Sequence, residues 1–106
     1  MDVYMPDDLF VLYTTGQSHK YGKVAENKQL LSGFIRAVQT MEYAGDVSEL
    51  KKFSYLHYEQ LRYEYAGYSS VRLSNSYVHR LIFKEIDGGI QVELLEIDDT
   101  HYGNKR

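Results

Sequence analysis

The chain has no cysteine, which excludes disulfides, thiolate metal sites and cysteine nucleophiles together. It contains no apolar run near the 18 or so residues of a membrane span. Its opening, MDVYMPDDLF, is acidic and lacks the basic start of a secretory signal. Those absences set the expectation of a cytoplasmic protein without membrane contact. A basic excess is also missing, since 12 Lys and Arg face 15 Asp and Glu for a net charge of -3. Proteins that grip nucleic acid over their whole surface gain affinity by neutralising phosphates and are usually basic. An acidic balance disfavours that mode and leaves a local basic cleft open. There is no phosphate-binding glycine loop, and no Gly-x-Ser-x-Gly elbow. His19, His57, His79 and His101 show no i,i+4 pairing and no carboxylate spacing typical of zinc, so no metal site is expected.

What is present suits one domain spanning residues 1–106, since a chain of this length seldom supports two cores. A 43% hydrophobic fraction is enough to build one core. The eleven tyrosines are the unusual bulk feature. Amphipathic rings fit half-buried β-structure, and one or two of them can alternatively stack on bases.

Asp2 to Met5 reads as a short strand. Pro6-Asp7-Asp8 reads as a helix start, with acids at the positive end of the dipole. Gly16 is the expected stop. Val24, Leu31, Phe34, Ile35, Val38 and Met41 recur at helical spacing, which predicts one long helix from about Lys23 to Tyr43. Gly33 within it suggests close packing. Gly45 ends that helix, and Asp46-Val47-Ser48-Glu49 resembles a capping box for a short helix through about Phe53. Beyond Tyr58 the period changes. Tyr68 to Leu73, Tyr77 to Ile86 and Ile90 to Ile97 are β-rich runs separated by turn residues, Ser74-Asn75-Ser76 and Asp87-Gly88-Gly89. Short loops between successive strands imply an antiparallel meander, and helices preceding strands imply an α+β fold. The expected architecture is N-terminal helices packed on an antiparallel sheet of about three to five strands.

Alternation along Tyr77 to Ile86 puts Val78, Arg80, Ile82 and Lys84 on one strand face. An arginine in mid-strand is costly if buried and unpaired. Arg80 therefore either lies on an open sheet face, pairs with an acid such as Glu93, or serves a function. The run Glu96-Ile97-Asp98-Asp99-Thr100-His101-Tyr102 ends in two proton-transfer groups of different pKa; it reads equally well as a polar tail.

Taken together, Tyr58-Glu59-Gln60-Leu61-Arg62, the stretch Gly67 to Phe83 with Arg72, Asn75 and Arg80, the strand Val92 to Ile97 and the His101-Tyr102 ending resemble the RelE/ParE toxin superfamily, the HigB and YoeB branches especially. Leu12-Tyr13-x-x-Gly16 and the long helix resemble a HigB-like subgroup. The resemblance covers most of the chain. It implies the RelE-like α+β fold and the toxin role of a type II toxin–antitoxin pair. It further implies ribosome-dependent, metal-independent mRNA endonuclease activity with no cofactor.

RNA carries its own nucleophile, the 2′-OH. The protein need only remove its proton, steady the phosphorane and protonate the departing 5′-oxygen. By matching position, the resemblance makes Arg80 the phosphorane stabiliser and Glu59 the general base, with His57 as the alternative base. It makes His101 the general acid and Tyr102 a stacking or orienting group. Arg62 corresponds to a substrate-binding lysine. Arg72 contacts phosphate or forms a structural salt bridge, and Lys84 joins the RNA-binding set from Arg80's strand face. The implied partners are a helix-turn-helix antitoxin of the HigA type, the ribosome and mRNA. Two departures stand out: relatives are basic where this chain is acidic, and Arg62 replaces lysine. A ParE-like toxin acting on a topoisomerase by binding alone, or an inactive protein of the same fold, is the alternative.

Overall fold

A computed structural model describes residues 1–99. Among them, five strands form one sheet, β1 (Asp2–Tyr4), β2 (Glu59–Gln60), β3 (Ser69–Arg72), β4 (Arg80–Ile86) and β5 (Gln91–Asp98), in the order β1-β5-β4-β3-β2. The helices α1 (Asp7–Thr15), α2 (Gly22–Glu26), α3 (Lys28–Tyr43) and α4 (Val47–Leu50) precede β2 to β5. This is the α+β arrangement expected from the sequence. The meander β2 to β5 is antiparallel, and β1 joins β5 in parallel, so the full sheet is mixed.

The single long helix expected from Lys23 to Tyr43 is divided. Asn27 adopts an extended backbone, and its side chain accepts the amides of Gln29 and Leu30 to cap α3. An asparagine oxygen competes well for helix-start amides, so a local cap overrides a continuous apolar period. The shorter α4 is likewise capped by Asp46, whose carboxylate accepts the Glu49 amide at 2.9 Å. Glu49 returns a bond to the amide of Gly45, completing the reciprocal box one residue early. α1 starts after Pro6 and ends at Gly16, which takes the left-handed conformation that glycine tolerates.

The core lies between the helices and one face of the sheet. α3 contributes Leu30, Phe34, Ala37, Val38 and Met41, all buried, and the sheet contributes Val71, Leu81, Phe83, Val92, Leu94 and Ile97. Leu81 and Phe83 alternate inward along β4, which leaves Arg80, Ile82 and Lys84 on the opposite, outer face. That outer face carries a cover of its own. At the end of the turn Tyr63–Tyr65, the Tyr65 hydroxyl donates to Glu96, the residue paired with Ile82.

Gly33 is the tightest joint. A Cβ there would lie 1.9 Å from the Leu73 carbonyl oxygen and 2.8 Å from its carbon. The helix thus rests directly on the backbone at the end of β3. Two more contacts fasten the loop that follows: Gln29 donates to the Ser74 hydroxyl at 2.6 Å, and Asn27 to the Tyr77 hydroxyl at 3.0 Å. In an open helix Gly→Ala is stabilising by about 1 kcal/mol. Here Gly33→Ala is expected to destabilise by about 1–3 kcal/mol or more, because the clash is with backbone. Urea unfolding checks the sign.

Candidate functional site

Register determines which side chains meet on the outer face. Glu59 pairs with Ser70, Ser70 with Ile82, Arg72 with Arg80, Ile82 with Glu96 and Arg80 with Asp98. Side chains of directly paired residues point the same way, so Glu59, Ser70, Arg72, Arg80 and Asp98 share this face. A cleft of about 630 Å³ opens there, lined by His57, Tyr58, Glu59, Ser70, Arg72, Asn75 and Arg80.

Two arginines directly opposite one another is an unfavourable sheet pair. Each has a partner. The Arg80 Nε lies 3.3 Å from Asp98 Oδ2, and the Asp98 side chain is only 5% exposed. Arg72 donates to the Tyr77 carbonyl at 3.2 Å. The partner of Arg80 is therefore Asp98 and not Glu93, which stands opposite Lys84. The cause is a bulge. Between the pairs Ile82–Glu96 and Phe83–Leu94, Leu95 is left without a partner. Were Leu95 paired in an unbroken ladder, Ile97 would face Arg80 and Asp98 would turn to the helix side, since a one-residue slip exchanges the faces of a strand.

The wall opposite the arginines is built by residues 57–59. His57 has a positive φ of 49°, uncommon for a residue with a side chain, and Nε2 lies 2.9 Å from Asn75 Oδ1. Tyr58 is held by a buried polar cluster: its hydroxyl donates to Glu85, as does Ser69 Oγ at 2.7 Å. Burial and, next, the Glu85 carboxylate push the Tyr58 phenol above its ordinary range, so it remains a donor. A fixed Tyr58 in turn fixes the backbone that presents His57 and Glu59. Beside Arg80, His79 turns to the helix side. Burial depresses its pKa and Lys23 adds to this, against the opposing pull of Asp99 and Asp98. It lines a separate cavity with His19, Lys20 and Lys23.

The structure thus brings together Glu59, Arg72 and Arg80 and the alternative base His57. Arg62 precedes the turn Tyr63–Tyr65 and Lys84 is exposed on the outer face; neither is among the residues lining the cleft. His101 and Tyr102 lie outside the described residues. Ser70 and Asn75 are lining residues to which the sequence reading gave no role. Asn75 entered as turn chemistry and as part of the family-like stretch, while Ser70 could have been found by pairing Glu59 across a hairpin. Among the described residues, no group of three His, Asp or Glu is placed to hold a metal ion.

The net acidity conceals a division. From Val47 to Lys84 there are six basic and three acidic residues, against six basic and twelve acidic in the remainder. The stretch that supplies the lining residues thus carries a net positive formal charge, while the buried Asp98 that pairs with Arg80 comes from outside it.

No family model and no curated protein matches the chain. Solved structures do. The chain is similar to one in the YoeB–YefM complex from Staphylococcus aureus, at 18% identity and a TM-score of 0.56 over 96% of this chain and 98% of the other. A heterotetrameric YoeB–YefM toxin–antitoxin complex from the same organism gives 17% identity and 0.55, over 96% and 98%. The YoeB/ParE toxin from Agrobacterium tumefaciens gives 14% and 0.54, over 95% and 100%. These likenesses establish the fold, which is that of the YoeB/RelE-type toxins.

The paired arginines make a test of the cleft independent of any reaction. Inorganic phosphate at ten times its Kd stabilises a protein by about 1.4 kcal/mol, which in a domain of this size raises Tm by roughly 5–10 °C. We expect such a rise relative to chloride of equal ionic strength. Arg72→Gln should abolish it, as followed by thermal denaturation.

Proposed function

We propose that the chain is the toxin of a type II toxin–antitoxin pair and that it cuts mRNA on the ribosome by 2′-OH attack. The observation that carries this reading is the juxtaposition, on one open sheet face, of a carboxylate and an opposed arginine pair. Glu59 lies diagonally across β2–β3 from Arg72, a spacing of about 7–8 Å between such positions. A scissile phosphate seated between them has a base on one side and two guanidinium groups on the other.

In this mechanism Glu59 takes the 2′-OH proton, and the freed oxygen attacks the adjacent phosphorus. Arg80 and Arg72 bind the phosphorane oxygens, for which the guanidinium fork is suited. Asp98 holds the Arg80 guanidinium in place on the cleft face. His57 is the alternative base, kept toward the cleft by Asn75. The 5′-oxygen leaves with a proton, assigned by the family resemblance to His101, with Tyr102 stacking on the substrate. The bond broken is P–O5′, the bond formed is P–O2′, and the products are a 2′,3′-cyclic phosphate and a 5′-hydroxyl. No metal is needed to generate the nucleophile, because RNA supplies it. Arg62 and Lys84 act outside the cleft as phosphate contacts. The proposed partners are the ribosome, mRNA and an antitoxin, expected from the sequence resemblance to be of the helix-turn-helix type.

Arg80→Ala alone is a poor probe, because it removes the cation paired with the buried Asp98 carboxylate, and breaking such a pair costs about 3–5 kcal/mol. Arg80→Lys keeps a cation there and removes the fork. In cells expressing the protein, mapping of mRNA 5′ ends should show new ends phased to codons. Arg80→Lys and Glu59→Gln should each reduce them by about 10²-fold or more. Growth arrest without new ends would overturn the nuclease reading in favour of a toxin acting by binding alone. Unchanged cleavage by both variants would sink the site assignment.

A further inference from the structure

Glu59, the proposed base, stands on the shortest strand of the sheet. β2 is two residues long, lies at the sheet edge and meets β3 through the pairs Glu59–Ser70 and Gln60–Ser69. Both of its residues are exposed. Backbone pairing so short and so open to water breaks readily. A base that must act on one proton needs firmer support than this ladder gives.

The helix side of the sheet supplies it. Alternation turns Tyr58 and Gln60, the two neighbours of Glu59, to the face away from the arginines. There the Tyr58 hydroxyl donates to Glu85 of β4. Ser69 Oγ of β3 donates to the same carboxylate oxygen at 2.7 Å and lies 3.2 Å from the Tyr58 hydroxyl, to which Gln60 also bonds. The Tyr58 ring packs on Phe83 with centroids 6.3 Å apart, and the Lys51 ammonium covers its face at 5.0 Å. Hydrogen bonds from hydroxyls to a carboxylate withdrawn from water are among the strong ones. Glu85 thus reaches beneath β3 and holds the edge strand from two strands away.

We propose that Glu85, acting through the Tyr58 hydroxyl, is a positioning residue for the general base. It is a strut under the sheet that sets where Glu59 stands above it. The assignment deepens the nuclease reading and rests on it. The polar atoms of the strut lie on the face away from the cleft, so it acts on geometry and makes no contact with substrate.

The test follows Tyr58→Phe, which keeps the ring on Phe83 and removes only the hydroxyl. Ser69 still donates to Glu85 in that variant, so the carboxylate keeps a donor. The Leu61 amide closes the end of β2 on the Tyr68 carbonyl at 2.8 Å. Its hydrogen exchange should quicken about tenfold, the factor that loss of one bond to a charged acceptor corresponds to, while amides of β4 and β5 keep their rates. Codon-phased cleavage in cells, at matched protein level, should fall at least about tenfold, because misplacing a reacting group by about 1 Å costs roughly 10²-fold. Glu85→Leu should reproduce both effects. Glu85→Gln, which retains an acceptor oxygen for both hydroxyls, should rescue both. The phosphate-induced rise in Tm reads the arginines and should persist in all of these variants.

Unchanged Leu61 exchange or full cleavage in Tyr58→Phe overturns the strut. So does exchange that quickens equally in β4 and β5, loss of the phosphate response, or a glutamine variant as impaired as the leucine one. If Glu59→Gln loses cleavage while Tyr58→Phe does not, the strut fails and the nuclease stands. If Leu61 exchange follows the expectation but the wild type makes no new ends, the nuclease reading fails and the mechanical link from Glu85 to β2 is verified without it.

Discussion

Gly33 sits so close beneath Leu73 that the helix backbone and the sheet backbone meet with no side chain between them. Much of the cleft depends on that approach. Leu73 follows Arg72 at the end of β3 and opens the loop to β4, where Arg80 is the first strand residue. Pressed against α3 at Gly33, and tied to it again by Gln29 and Asn27, this loop cannot shift without carrying both arginines with it. The loop also presents Asn75 to His57 across the cleft. Core packing and site geometry are therefore linked through one glycine. Groups that must be held to a fraction of an ångström are best mounted on regular elements locked by packing.

The outer face of the sheet shows the cost of such a site. An ordinary meander would place opposite charges or apolar residues across from each other, whereas here Arg72 faces Arg80. His57 adds a left-handed backbone, and Asp98 is a carboxylate taken almost wholly out of water. Local conflicts of this kind concentrate where function requires them. Their support is correspondingly dense: Asp98 for Arg80, a backbone carbonyl for Arg72, and Glu85 with Ser69 for Tyr58. Charge is apportioned in the same way, with the acidic majority placed outside the stretch that builds the cleft.

Several features were legible before folding. The turn residues at 74–76 and 87–89 separate three strands where expected, the period of α3 marks its buried face, and the Asp46–Glu49 pair caps a short helix. Glu59, Arg72 and Arg80 were nominated through the family resemblance that their order along the chain carries. Three things could not be read. Asn27 was indistinguishable from a polar face position until its side chain turned back on the amides of α3. The parallel pairing of β1 with β5 joins residues about ninety apart, beyond any local signal. The partner of Arg80 depended on whether β5 ran unbroken past Leu95, and alternation alone cannot announce a bulge.

The sequence by itself determined the α+β order of elements, the turns and the cap of α4. These are local matters, written in periodicity and in side chains that bond within a few positions. Tertiary structure decided which of those residues meet. The extra residue at Leu95 exchanges Ile97 for Asp98 opposite Arg80, and the register of β3 on β4 sets one arginine against the other. Register is a property of pairs of strands, fixed by packing on α3 and by a single irregular residue. No reading along one strand contains it.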